Sequence, residues 1–62
     1  MPIDEILNRA YAEHIGKLFE SFIRAVSSAE SKEDEINAAA ERFKAGVDLA
    51  KDVLEKAKQI IQ

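Results

Sequence analysis

Apolar residues in the second half of the chain recur in a strict heptad pattern, and this pattern constrains the fold most. Intervals of four and three residues alternate through Ile36, Ala40, Phe43, Val47, Ala50, Leu54, Ala57 and Ile61. Such spacing places every member on one side of an α-helix, as in helices that pack side by side. A third position widens the stripe, which favours a bundle over a two-stranded coiled coil. Its members are Ala39, Gly46, Val53 and Ile60. The pattern predicts a helix over residues 31–61.

The first half of the chain carries apolar residues at intervals of four, which predicts a helix over residues 3–27. One row runs from Ile3 to Ile23 and a second from Ile6 to Val26. Because 3.6 residues make one turn, both rows wind around the helix. The helix therefore either crosses its neighbour steeply or contacts two neighbours. In both cases it carries more apolar surface than one antiparallel partner can cover, and we interpret the excess as an interface.

A serine-rich segment, residues 27–31, is the only plausible break between the two patterns. Ser31 followed by Asp34 approximates a capping box, and Ser28 is a competing N-cap. We therefore predict a turn at 28–30 and a single helical-hairpin domain over residues 1–62. One continuous helix is the alternative, because no Gly or Pro ends the first helix.

Folding the hairpin at residue 29 predicts a register between the two helices. Phe22 is expected near Ile36, and Leu18 near Ala40. The same register carries Ile60 and Ile61 past the start of the first helix, where nothing in the chain covers them.

The size of the chain favours association with a second copy. A chain of 62 residues buries only roughly 60% of its unfolded surface, and without Cys it has no disulfide to compensate. Two hairpins related by a twofold axis make a four-helix bundle. We predict an all-α fold, an antiparallel hairpin that forms a homo-oligomer, with a dimer favoured. The expected interface residues are Leu18, Phe19, Phe22, Ile23, Val26, Val53, Ile60 and Ile61.

Catalytic and metal-binding patterns find little support in this sequence. His14 is the only His, lies in an apolar row and has no orienting triad, so we interpret it as structural. Tyr11 stands where a di-iron bundle needs the Glu of Glu-x-x-His. Gly16, inside the helical pattern, marks either a close contact or a kink. We predict no catalytic residue, no cofactor and no metal.

The charge and the hydropathy of the chain limit the classes of partner that it can bind. Nine basic and twelve acidic side chains give a net charge of −3, with no basic face suited to phosphate, so nucleic acid is disfavoured. The longest apolar runs are two or three residues, too short to span a membrane. The acidic opening, residues 1–5, lacks the features of a signal peptide, so we expect a complete, small cytoplasmic protein.

The sequence favours a non-enzymatic, self-associating helical interaction module with a structural or regulatory role. Two alternatives stay open. The first is a regulator that binds nucleic acid, because the hairpin resembles the Rop-type RNA-binding regulators of plasmids in length and layout, although it shares no residue motif with them. The second is a regulator that holds another protein's helix in an apolar groove.

Overall fold

Two α-helices make up the computed structural model, which describes residues 2–61. Helix α1 spans Ile3–Ser28 and helix α2 spans Glu33–Ile60. The described range contains no strand, which confirms the all-helical class. Contacts run from Phe22 with Phe43 to Leu18 with Gly46, so positions fall along α1 as they rise along α2. The arrangement fits the predicted antiparallel hairpin, and the alternative of one continuous helix is wrong. Met1 and Gln62, the ends of the predicted domain, lie outside the described residues.

The chain reverses direction at Ala29–Lys32, slightly later than the predicted turn at 28–30. Lys32 donates its backbone N–H to the Ala29 carbonyl at 3.0 Å. The residues between them, Glu30 and Ser31, have φ of 49° and 70°. Positive φ at both central positions is the signature of a type I′ turn, which normally uses Asn or Gly. The hairpin therefore turns tightly without a glycine, and its helices end at Ser28 and restart at Glu33.

The predicted N-cap of the second helix is wrong. Lys32 occupies the N-cap position, with φ −76° and ψ 106°, and no side chain caps the helix. Ser31 adopts the left-handed backbone conformation of the turn, and an N-cap residue needs an extended one instead. Ser28, the competing candidate, is the last residue of α1. The start of α2 instead carries three acidic residues, which the helix dipole favours there: Glu33, Asp34 and Glu35.

The predicted register is also wrong, by about one heptad. Phe22 stacks on Phe43 instead of lying near Ile36, and Leu18 packs on Gly46 instead of Ala40. Each α1 residue thus meets a position six or seven residues further along α2 than expected. This shift brings the end of α2 level with the first turn of α1. The predicted apolar overhang of Ile60 and Ile61 beyond α1 therefore does not form.

The two helices lie nearly parallel to one another in a single layer. The Cα positions span 46 × 17 × 7 Å, and a 28-residue helix alone is about 42 Å long. A width of only 17 Å excludes the steep helix crossing that the four-residue rows allowed. A thickness of 7 Å is that of one helix backbone, so both broad sides of the hairpin face solvent.

Little of the apolar surface is buried within this layer. Ala29 and Ala39 are the only buried residues of the described range, each 3% exposed. Ala39 is buried, whereas Ala40, which the heptad pattern placed in the apolar seam, is exposed. The larger residues that face the other helix, such as Leu18 and Leu54, are only half-buried. Stable domains normally enclose a core between two layers, and this hairpin supplies one.

Candidate association surface

Three phenylalanines form an aromatic contact between the helices. The rings of Phe22 and Phe43 are stacked with centroids 5.2 Å apart and an interplanar angle of 22°. Phe19 approaches the same ring from α1 at 6.2 Å and 60°. Offset-stacked and tilted aromatic pairs are both favourable geometries. These rings join the helices. Phe22 and Phe43 are half-buried and pack against one another.

Gly46 creates the closest approach between the helices. A Cβ placed on Gly46 would lie 3.0 Å from Leu18 Cδ2 and 3.1 Å from Leu18 Cδ1. The leucine side chain thus fills the space that any larger residue would need. Gly16 is different, because a Cβ there would meet no atom of the chain within 4 Å. Of the two roles that the sequence allowed for Gly16, a close intrachain contact is therefore excluded.

An open groove runs between the helices on one broad side of the hairpin, in the half away from the turn. Its volume is about 540 Å³. We call this side the groove face, and its lining residues are Leu7, Ala10, Tyr11, His14, Leu18, Gly46, Leu49, Ala50, Val53, Leu54 and Ala57. Small residues form its floor, and no carboxylate, lysine or arginine lines it. The groove is thus an apolar surface without a fixed charge.

His14 and Tyr11 are the only lining residues that can take part in proton transfer. No group of three His, Cys, Asp or Glu side chains comes together anywhere in residues 2–61 to hold a metal ion. The imidazole of His14 is exposed at the edge of the groove, and its neighbours in the lining are aliphatic and aromatic. The arrangement can bury an apolar surface, whereas it offers no assembled acid–base pair.

The structure distributes the eight predicted interface residues over both broad sides. Leu18, Phe22 and Val26 are half-buried within the hairpin, whereas the other five are exposed. Val53 lines the groove, and Ile60 follows it by seven residues on the same side of α2. Phe19 comes nine residues after Ala10, about two and a half helical turns, and so projects on the other side. We call that side the opposite face.

The interface set predicted from the sequence left out three large side chains that the structure exposes. Leu49 is 65% exposed and lines the groove, and Ile3 and Ile6 are also exposed. Leu49 falls outside the heptad positions, so the seam did not select it. Its spacing of four residues from Val53 was the signal that would have found it, because i and i+4 lie on one side of a helix.

The outer surface of α2 is solvated and charged. Within the described residues one ion pair is closer than 4 Å, between Lys56 Nζ and Asp52 Oδ2 at 3.0 Å. Both side chains are more than half exposed, so the pair contributes at most about 0.5 kcal/mol. Neither helix, over residues 2–61, has the length and apolar character needed to cross a membrane.

No family model, no curated protein and no solved structure matches this chain.

Proposed function

We propose that this chain is a non-enzymatic interaction module that associates with a second copy of itself, as a twofold dimer of hairpins that makes a four-helix bundle. The single layer of helices carries the proposal. With a thickness of 7 Å, the hairpin has two open sides and no interior. A second hairpin laid across one side would supply the second layer that stable domains have.

The exposed area of the chain supports the same conclusion quantitatively. The hairpin exposes 5,038 Å², whereas a compact monomer of 6.9 kDa exposes about 4,000 Å². The excess of about 1,000 Å² is close to the roughly 800 Å² that each partner buries in a standard protein interface. One further hairpin is therefore enough to bring the exposed area per chain down to that of a compact protein.

The oligomeric state in solution tests this proposal. Sedimentation velocity from low micromolar to near-millimolar concentration is expected to show a dimer, with a monomer only at the dilute end. Helicity measured by circular dichroism should fall on dilution, because the separated hairpin loses its second layer. A helical species that sediments as a monomer over the whole range would contradict self-association.

Of the two alternatives, the structure offers a specific feature for only one. The apolar groove has the form that receives an amphipathic helix of another protein. That alternative predicts a monomer, or a dimer whose apolar groove stays open. The sedimentation experiment separates the monomeric form from self-association. Nucleic-acid binding would need a continuous basic surface. The groove provides none, and acidic side chains outnumber basic ones in the chain.

A further inference from the structure

We infer that the second copy seats on the groove face, with Leu49 and Val53 of each chain inserted into the groove of the other, while the opposite face stays in solvent. This inference rests on the proposed self-association and adds to it the surface, the anchor residues and the orientation of the contact. The interface expected from the sequence also contained Val53, but it left out Leu49. It included Phe19 and Ile23, which this inference leaves in solvent.

The distribution of exposed apolar side chains favours the groove face. Between Pro2 and Ile61, eight large hydrophobic residues are exposed, and two of them, Phe19 and Ile23, belong to the opposite face. Leu49 and Val53 form one rim of the groove. Ile60 follows Val53 by seven residues, and Ile3 precedes Ala10 by seven, so each lies on the same side of its helix as the groove. Ile60 is 82% exposed.

The opposite face has a different composition on its α2 half. Lys44 precedes Val53 by nine residues, and Lys51 precedes Ile60 by nine, about two and a half turns in each case. Both lysines therefore project away from the groove, on the side of Phe19. A second copy seated there would have to cover ammonium groups, and burying an unpaired charge is strongly unfavourable.

The groove carries less of this penalty. Arg42 and Lys56 lie seven residues before and after Leu49, on the same side of α2, but they are not among the groove's lining residues, and Lys56 is paired with Asp52 at 3.0 Å. No carboxylate, lysine or arginine is among the lining residues, so closing the groove leaves none of these charges stranded.

The lining of the groove also combines small and large side chains. Gly46, Ala50 and Ala57 are half-buried, whereas the larger Leu49 and Val53 are exposed. A twofold contact requires one surface to supply both the projection and the recess, and this side supplies both.

Charge insertion at matched positions on the two faces tests the inference. Leu49→Glu places a carboxylate on the groove face, and Ile23→Glu places the same group on the opposite face. The two positions are 65% and 47% exposed in the hairpin, so neither carboxylate is buried in the isolated chain. Glu is also a good helix former, so neither substitution lowers helix propensity by itself, and Leu49→Glu should lose helicity only to the extent that a diluted wild-type chain does.

Sedimentation and circular dichroism of the two variants decide between the faces. Leu49→Glu is expected to raise the dissociation constant of the dimer by at least about 100-fold, because two carboxylates are desolvated per dimer. Ile23→Glu is expected to change it less than about threefold. A dimer that tolerates Leu49→Glu, or that is dissociated equally by Ile23→Glu, overturns the inference and leaves self-association standing. A wild-type chain that is monomeric throughout overturns both.

Thiol labelling provides a second measurement, in which no charge is introduced at either face. The chain has no cysteine, so Leu49→Cys and Ile23→Cys each introduce a single thiol. The labelling rate of the Leu49→Cys thiol is expected to fall at least about tenfold between dilute monomer and concentrated dimer, because its exposure is lost on association. The rate at Ile23→Cys should stay constant. Protection at Ile23→Cys alone would place the second copy on the opposite face and overturn the inference.

Discussion

Replacement of Ser31 by glycine should stabilise the protein, although the sequence marks this serine as a helix cap. Ser31 has φ of 70°, in the left-handed region, and precedes the N-cap position of α2, which Lys32 occupies. An L-residue held in this region costs about 1–2 kcal/mol. Glycine removes that cost. It also loses more conformational freedom on folding than serine does, which lowers stability by roughly 0.5–1 kcal/mol. The expected net gain for Ser31→Gly is therefore about 0.5–1 kcal/mol.

Thermal and urea unfolding, followed by circular dichroism at one fixed protein concentration, would measure this gain. A fixed concentration matters because association itself adds to apparent stability. For a domain of this size, a gain of 0.5–1 kcal/mol raises Tm by about 2–8 °C. Glu30→Gly, at φ of 49°, should act in the same direction for the same reason.

Ser27→Gly is the matched control, because it makes the same change four residues earlier, inside α1. There glycine is a poorer helix former than serine, so stability should fall by about 0.5 kcal/mol. Ser31→Ala separates the two roles of Ser31. If Ser31 capped α2, alanine would cost about 1 kcal/mol and glycine only a few tenths. That pattern, in place of a stabilising glycine and a near-neutral alanine, would refute the turn geometry described above.

Three further substitutions test the packing. Gly46→Val should destabilise the protein by about 1–3 kcal/mol in urea unfolding, because the valine side chain would collide with Leu18. An unchanged urea midpoint would show that the helices do not approach closely at Gly46. Gly16→Ala should stabilise by about 1 kcal/mol through helix propensity, since its Cβ meets open space. A loss of stability or of dimer would mean that a second copy covers Gly16. Asp52→Asn breaks the exposed ion pair with Lys56 and should lower the free energy of unfolding by less than about 0.5 kcal/mol. A larger loss would mean that Asp52 makes a stabilising contact besides this ion pair.

The amino-acid pattern determined the helices and the location of the reversal. Apolar spacing of three and four residues has no strand interpretation, and the observed helices, Ile3–Ser28 and Glu33–Ile60, begin and end within two residues of the predicted bounds. The serine-rich segment was correctly identified as the break. Its internal geometry was not, because Glu30 and Ser31 adopt a left-handed conformation that local preference assigns to glycine or asparagine.

The register and the arrangement of the two faces were decided only by tertiary packing. A heptad pattern repeats every seven residues, so sliding one helix by a heptad, about 10 Å, leaves the same apolar seam in contact. The observed change of partner for Phe22, from Ile36 to Phe43, is one such step. Part of the shift follows from the reversal, which lies at Ala29–Lys32 and not at residue 29. The rest comes from the fit of Leu18 onto Gly46 and the stacking of the phenylalanine rings, and these depend on side-chain shape, which spacing does not encode.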